Sequence, residues 1–312
     1  MLKLAKTLLV SISLFSASQV LPNSNGTVAD QVHAVLTQDE KKDDLLSAKL
    51  AFDQIIDPSI DPKNTKFQID LMVADVRTRL GQRYGSIDIL KAVQKVIYEP
   101  GKGNQNRPFA YDLKDPLGLD VRNKLLSTYF EKRLGNCVSM PILQLILADR
   151  MGVNVRLSTA PLHMFVRYTD KRGNALNIEA TSGGHPARAS WYRQNFQITD
   201  KAIENGIYMR TLTKRETVAH MATTVMEWLM IEGRYQEAID VADVILEHFP
   251  KDVYTVLKRG HAHGEILKRD FLNKYPLASA VPVSLQPRYQ YLAKQNEEAF
   301  KKAEAWGWQA PK

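Results

Sequence analysis

The chain of 312 residues carries a single cysteine, Cys137. One thiol closes no intramolecular disulfide and builds no multi-cysteine zinc site. After the first twenty residues, no window approaches the roughly eighteen consecutive apolar residues that a membrane-spanning helix needs, so no stable span is expected in the mature form. Glycine-rich phosphate loops and His-Glu-x-x-His pairs are also missing, so neither a cofactor nor a metal is expected. His261 and His263, two apart on an expected helix, face away from each other and make a poor metal pair. The 42 Lys and Arg exceed the 34 Asp and Glu, but they are scattered among acids, as in DEKKDD at 39–44, which argues against nucleic-acid binding.

What is present is the composition of a soluble mixed protein: 44% hydrophobic and 24% charged residues, with ordinary glycine and proline content. That excludes a disordered or fibrous chain, and the length suffices for one or two domains with a sizeable core. Residues 1–18 read as a signal peptide, with Lys3 and Lys6 ahead of a short apolar stretch and small residues at Ser16 and Ser18. The alternative is an uncleaved anchor. Cleavage lowers the formal charge of +8 by two and implies an exported protein, periplasmic or secreted. In an oxidising compartment a free thiol is either buried or used.

Residues 19–42 read as a linker. Helical spacing predicts helices over 45–56, over 71–80 and over 87–97, the first stopped by Asp57-Pro58. A Pro- and Gly-rich loop spans 100–118. A short helix over 125–134 breaks at Gly135-Asn136, and a second runs from about Cys137 to Met151. Pro141 suits only a first turn, so regular helix is expected from Val138 or Ser139, with Cys137 just ahead of it. Strands are expected at 154–161 and 163–168, with ALNIEAT at 175–181 completing a hairpin around a polar turn at 170–174. From Thr213 the chain is strongly helical. Gly233, Tyr235, Ala238, Ala242, Ile245, Leu246 and Pro250 follow the spacing of a tetratricopeptide helix, with an ordinary helical hairpin as the alternative.

Chemistry gathers around the lone thiol. At a helix start, unpaired N–H groups and the helix dipole favour a thiolate and can stabilise an oxyanion; the competing reading is a buried, inert cysteine. His163 opens one strand of the hairpin and Glu179 lies near the end of the next. A turn centred near Lys171 or Arg172 sets His163 opposite Glu179 or Ala180, within reach of a cross-strand hydrogen bond. Thiol, imidazole and carboxylate then have the order of a nucleophile, its base and the orienter of that base. Asn136 is a candidate oxyanion donor or a cap. Asn177 shares the expected strand face of Glu179 and either lines the cleft or faces solvent. Tyr111 and Asp112 are candidate substrate contacts, and Ser182-Gly183-Gly184-His185 a candidate mouth, with His185 otherwise a surface residue.

The run GNCVSMPILQLILADRMGV, followed by APLHMFVRY and NIEATSGG, resembles the bacterial transglutaminase-like family within the papain-like cysteine enzymes, and in particular its exported members with a C-terminal tetratricopeptide region. The similarity extends from about Phe52 to Pro250. It implies an α+β fold, with a papain/transglutaminase-like core at 43–212 and an all-α tetratricopeptide-like region at 213–312. It also implies a triad of Cys137, His163 and Glu179, the last a departure because most members have Asp there. The implied chemistry is an acyl-enzyme formed on an amide or peptide carbonyl, resolved by water or by an amine. A peptide or protein substrate in the cell envelope and a protein partner on the helical region are the expected partners. The alternative is a catalytically silent papain-like module that binds or scaffolds.

Overall fold

The protein is described from a computed structural model covering residues 26–38 and 44–310; the signal peptide expected at 1–18 lies outside these residues. Helix α1 (Val28–Leu36) begins where Thr27 accepts from the Asp30 amide and the Asp30 carboxylate accepts from the Thr27 amide, a reciprocal cap. This corrects the linker reading, since Val32, Val35 and Leu36 of α1 are buried core residues. Helices α2 (Leu45–Ile56) and α3 (Pro62–Thr78) start on the Asp44 and Asp61 caps, and α4 (Ser86–Tyr98) follows. Their apolar faces join one core.

A two-residue strand β1 (Ala110–Tyr111) precedes α5 (Leu126–Lys132) and pairs in parallel with β2 (Leu134–Gly135). Helix α6 (Ser139–Arg150) is apolar all round and buried from Ser139 to Ala148, as befits a central helix. Strands β3 (Val155–Ala160), β4 (His163–Thr169), β5 (Ala175–Glu179) and β6 (His185–Ala187) form an antiparallel sheet in chain order. Helix α6 packs on β3, β4 and α4.

After α7 (Ala189–Asn195) and α8 (Asp200–Glu204), the chain is helical: α9 (Lys214–Met221), α10 (Thr223–Ile231), α11 (Tyr235–His248), α12 (Val253–Leu267) and α13 (Gln286–Ala305). From α10 to α13, each helix packs on the next, and α1 and α2 pack on α11 and α10, so the helical region is continuous with the mixed core. Helices α12 and α13 meet closely at Gly260, where a β-carbon would lie 2.5 Å from Ala299 Cβ. The fold is thus a mixture of helices and a small sheet. Among the described residues, no helix is long and apolar enough to cross a membrane.

Candidate active site

Cys137 sits immediately before α6, and the local sequence explains why. Gly135 lies against Tyr129 and Met140, where a β-carbon would come within 2.4 Å of the Tyr129 ring, so only glycine lets the strand pass. Asn136 Oδ1 then accepts from the Val138 and Ser139 amides at 3.0 and 3.1 Å, and Asn136 Nδ2 donates to the Asn123 carbonyl at 3.1 Å. The side chain is therefore a cap, which corrects its reading as an oxyanion donor. The Cys137 amide donates to the Pro116 carbonyl at 3.3 Å, and the thiol to the Leu162 carbonyl at 3.6 Å.

Leu162 closes the tight Pro161-Leu162 turn between β3 and β4, and does so at φ 53°, the left-handed region, although it is not glycine. Such strain persists only where packing demands it. Here it brings a carbonyl to the thiol and His163 to the first position of β4. The register differs from expectation: Thr169 pairs with Ala175 and Val166 with Ile178, which leaves five loop residues and makes His163 and Glu179 diagonal rather than opposite. A diagonal pair is farther apart, and the extra methylene of Glu helps span it. His163 Nε2 and Glu179 Oε2 are 2.8 Å apart.

Glu179, 1% exposed, is held on every side. Tyr192 donates its hydroxyl to Oε2 at 2.9 Å, and Thr181 donates its amide and hydroxyl to Oε1 at 3.0 and 2.6 Å. Burial opposes its charge, but the hydrogen bonds and charge interaction with His163 and Thr181 outweigh that and hold its pKa below the usual value. An ionised carboxylate only accepts, so the His163 Nε2 must carry the proton, leaving Nδ1 as the basic nitrogen. The imidazole stacks on Phe196 at 4.8 Å and 20°, which fixes its plane. Cys137 and His163 both line a cavity of about 700 Å³, bounded on its other side by α10, α12 and Trp308.

The transglutaminase-like superfamily profile matches residues 63–223, more than half of the chain. The chain belongs to the transglutaminase-like superfamily. Similar curated proteins include a UPF0162 protein of Xylella fastidiosa strain 9a5c, 28% identical over an alignment of 159 residues that covers 46% of this chain and 53% of that relative. A second, from Xylella fastidiosa strain Temecula1, is 29% identical over 181 residues, 50% of this chain and 60% of the relative. A third, from Buchnera aphidicola, is 26% identical over 160 residues, 50% and 56% of the two chains. The chain thus spans between about half and three fifths of the length of these relatives. No solved structure matches.

Within this transglutaminase-like site, several sequence expectations are corrected. Asn177 is buried with Nδ2 3.4 Å from the Ala187 carbonyl and does not line the cavity. The Gly183-Gly184-His185 turn packs on α4, with the His185 ring 3.1 Å from Gln94 Nε2, and forms no mouth. Tyr111 also lies outside the lining. It is nonetheless within electrostatic reach of the site: burial first, then the charges of Cys137 and Glu179, raise its pKa. Thr181, Tyr192 and Phe196 have no sequence signal, because they meet Glu179 and His163 only through packing.

The thiol is the largest correction. Burial first, reinforced by the charges of Glu227 and Glu179 and only partly offset by Lys124, pushes its pKa up to about 11. Of the helix-start amides, those of Val138 and Ser139 are engaged by Asn136, and that of Cys137, which donates to Pro116, lowers the thiol pKa too little to offset burial. A raised pKa means a smaller thiolate fraction at neutral pH. Alkylation of the free protein by iodoacetamide is therefore expected to be slow at pH 7 and to climb towards an inflection near 11. A half-maximal rate at or below the ordinary thiol range would refute this picture.

Proposed function

We propose that the protein is an exported cysteine enzyme that forms an acyl-enzyme on amide or peptide carbonyls. The observation that carries this reading is the fixed His163–Glu179 pair sharing a cavity wall with the only thiol. Because that thiol is neutral at rest, activation is by general base rather than by a standing ion pair. As Sγ attacks the carbonyl carbon, its proton passes to His163 Nδ1, and Glu179 stabilises the imidazolium. Collapse of the tetrahedral species breaks the carbon–nitrogen bond, and His163 returns the proton to the departing amine. Water or a second amine then attacks the thioester, giving the acid or a new amide and restoring the thiol. For an oxyanion to use the Cys137 amide, Pro116 must release it.

The signal-like residues 1–18 support an envelope location and hence envelope peptides as substrates. The paired packing of α10 to α13 supports a tetratricopeptide-like C-terminal region and a role for it in binding a protein partner. One observation favours the alternative of a silent binding module: the raised thiol beside an already satisfied amide. The test is intact-mass analysis of protein incubated with a panel of peptide amides, with and without a primary amine. A mass shift confined to wild type and absent from Cys137→Ala is expected, with amine incorporation marking transfer and its absence hydrolysis. Identical results for wild type and Cys137→Ala would leave the silent module as the answer.

A further inference from the structure

The cavity that holds Cys137 has a second, charged wall that the acyl-transfer steps do not use. His220 and Asp252, 5% and 3% exposed, both line it, with His220 Nδ1 bound to Asp252 Oδ2 at 2.8 Å. Thr255 donates its hydroxyl to the same oxygen at 3.0 Å. On the same wall, Glu227 accepts from the Lys124 ammonium and from the Tyr254 hydroxyl. Asp252, buried, and Glu227, partly buried, are therefore both supplied with donors from within the protein. Glu265, nearer solvent, sits 3.9 Å from His261.

The donors are left with capacity. Among the described residues, His220 Nε2 makes no hydrogen bond to protein, and Asp252 holds the opposite edge of the ring. Lys124 has N–H groups beyond the one given to Glu227. Lys258 lies 5.4 Å from the centre of the Tyr254 ring, with no carboxylate partner among the described residues. Burial opposes a charge on His220, but Asp252 and Glu227 outweigh it and raise its pKa; with Nδ1 on Asp252, Nε2 donates when the ring is protonated, as an anion bound there would favour. A buried wall whose acids are satisfied and whose cationic donors are not is complementary to an anion. A phosphate dianion would set its second charge against Glu227 and Asp252, whereas a carboxylate carries one charge and two acceptor oxygens. Near this wall, the rim is apolar and exposed at Leu119, Leu162 and Ile231, which suits aliphatic side chains.

We propose that His220, Lys124 and Lys258 form a carboxylate-binding subsite, and that the molecules reaching Cys137 are peptides or acyl peptides with a free carboxyl end and aliphatic side chains. The choice of substrate rests on the acyl-transfer reading above; the carboxylate subsite does not.

The test is calorimetric titration of full-length Cys137→Ala protein with N-acetyl-leucyl-leucine and with its carboxamide. The acid is expected to bind at least about tenfold more tightly, as a charge-assisted hydrogen bond implies. His220→Gln removes most of that difference, and Lys258→Gln reduces it. Lys258 is half-buried, so its variant carries the test if near-ultraviolet dichroism shows His220→Gln misfolded. Acetate is expected to compete and inorganic phosphate not to; stronger competition by phosphate overturns the proposal. So do equal affinities for acid and amide, binding of neither, or a preference that survives both substitutions. Since the thiol is absent in this experiment, a failure of catalysis in wild type and a failure of carboxylate binding are read separately.

Discussion

His163→Ala is expected to slow acylation of Cys137 by roughly 10²–10⁴-fold, the range a positioned general base contributes. The size follows from the thiol. With its pKa pushed up to about 11, Cys137 has almost no standing thiolate at neutral pH, so the reaction depends on a base that removes the proton during attack. Glu179→Gln should fall between wild type and His163→Ala, because the ring keeps its stack on Phe196 while losing the carboxylate that sets Nε2–H and supports the imidazolium. Single-turnover acylation by an activated peptide ester measures both. Added imidazole should restore part of the His163→Ala rate, which a purely structural defect would not allow. An unchanged rate in His163→Ala would remove the histidine from the mechanism.

Asp53→Ala is expected to cost about 3–5 kcal/mol of stability, the usual consequence of stranding one partner of a buried ion pair. Lys49 and Asp53 lie one turn apart on α2 with both side chains wholly buried. Asp53 also accepts the Leu126 amide at 2.9 Å, and Lys49 donates to the Lys124 carbonyl at 3.0 Å. Alanine therefore leaves a buried ammonium with a carbonyl as its remaining partner and an unpaired amide at the start of α5. Urea unfolding should show the loss with little change in slope. The double variant Lys49→Met, Asp53→Leu should recover much of it, since no charge is then left alone. A loss below about 1 kcal/mol in the single variant would mean that the pair contributes little. The same pair fixes the segment that presents Lys124 to the cavity, so substrate affinity should weaken along with stability.

Much of this arrangement is legible in the sequence, for physical reasons. Helices α2 to α4 repeat their apolar residues at helical spacing, and Pro141 places Cys137 just outside α6. The hairpin of β4 and β5 follows from alternation around a polar turn. Helix α1 has apolar residues at suitable intervals, but it is short, and it is buried by α2 and by α11, some two hundred residues away. The loop of 170–174 is as expected, but the register of His163 and Glu179 depends on the exact residue about which the strands pair, which composition does not specify. Between an activated and a buried thiol the sequence does not choose, because a helix start favours thiolate only when its amides and its solvent are available. Burial, Glu227 and the Pro116 carbonyl come from distant parts of the chain.

The family match ends at residue 223, yet Glu227, Asp252, Tyr254, Lys258 and Trp308 all face the cavity that holds Cys137. Cys137, His163 and part of the cavity wall, including Lys124 and His220, thus come from the matched stretch, and the rest of the wall comes from the stretch that follows it. Preference for one guest molecule over another can drift through changes in α10 to α12 and the C-terminal segment, while the thiol, imidazole and carboxylate stay as they are.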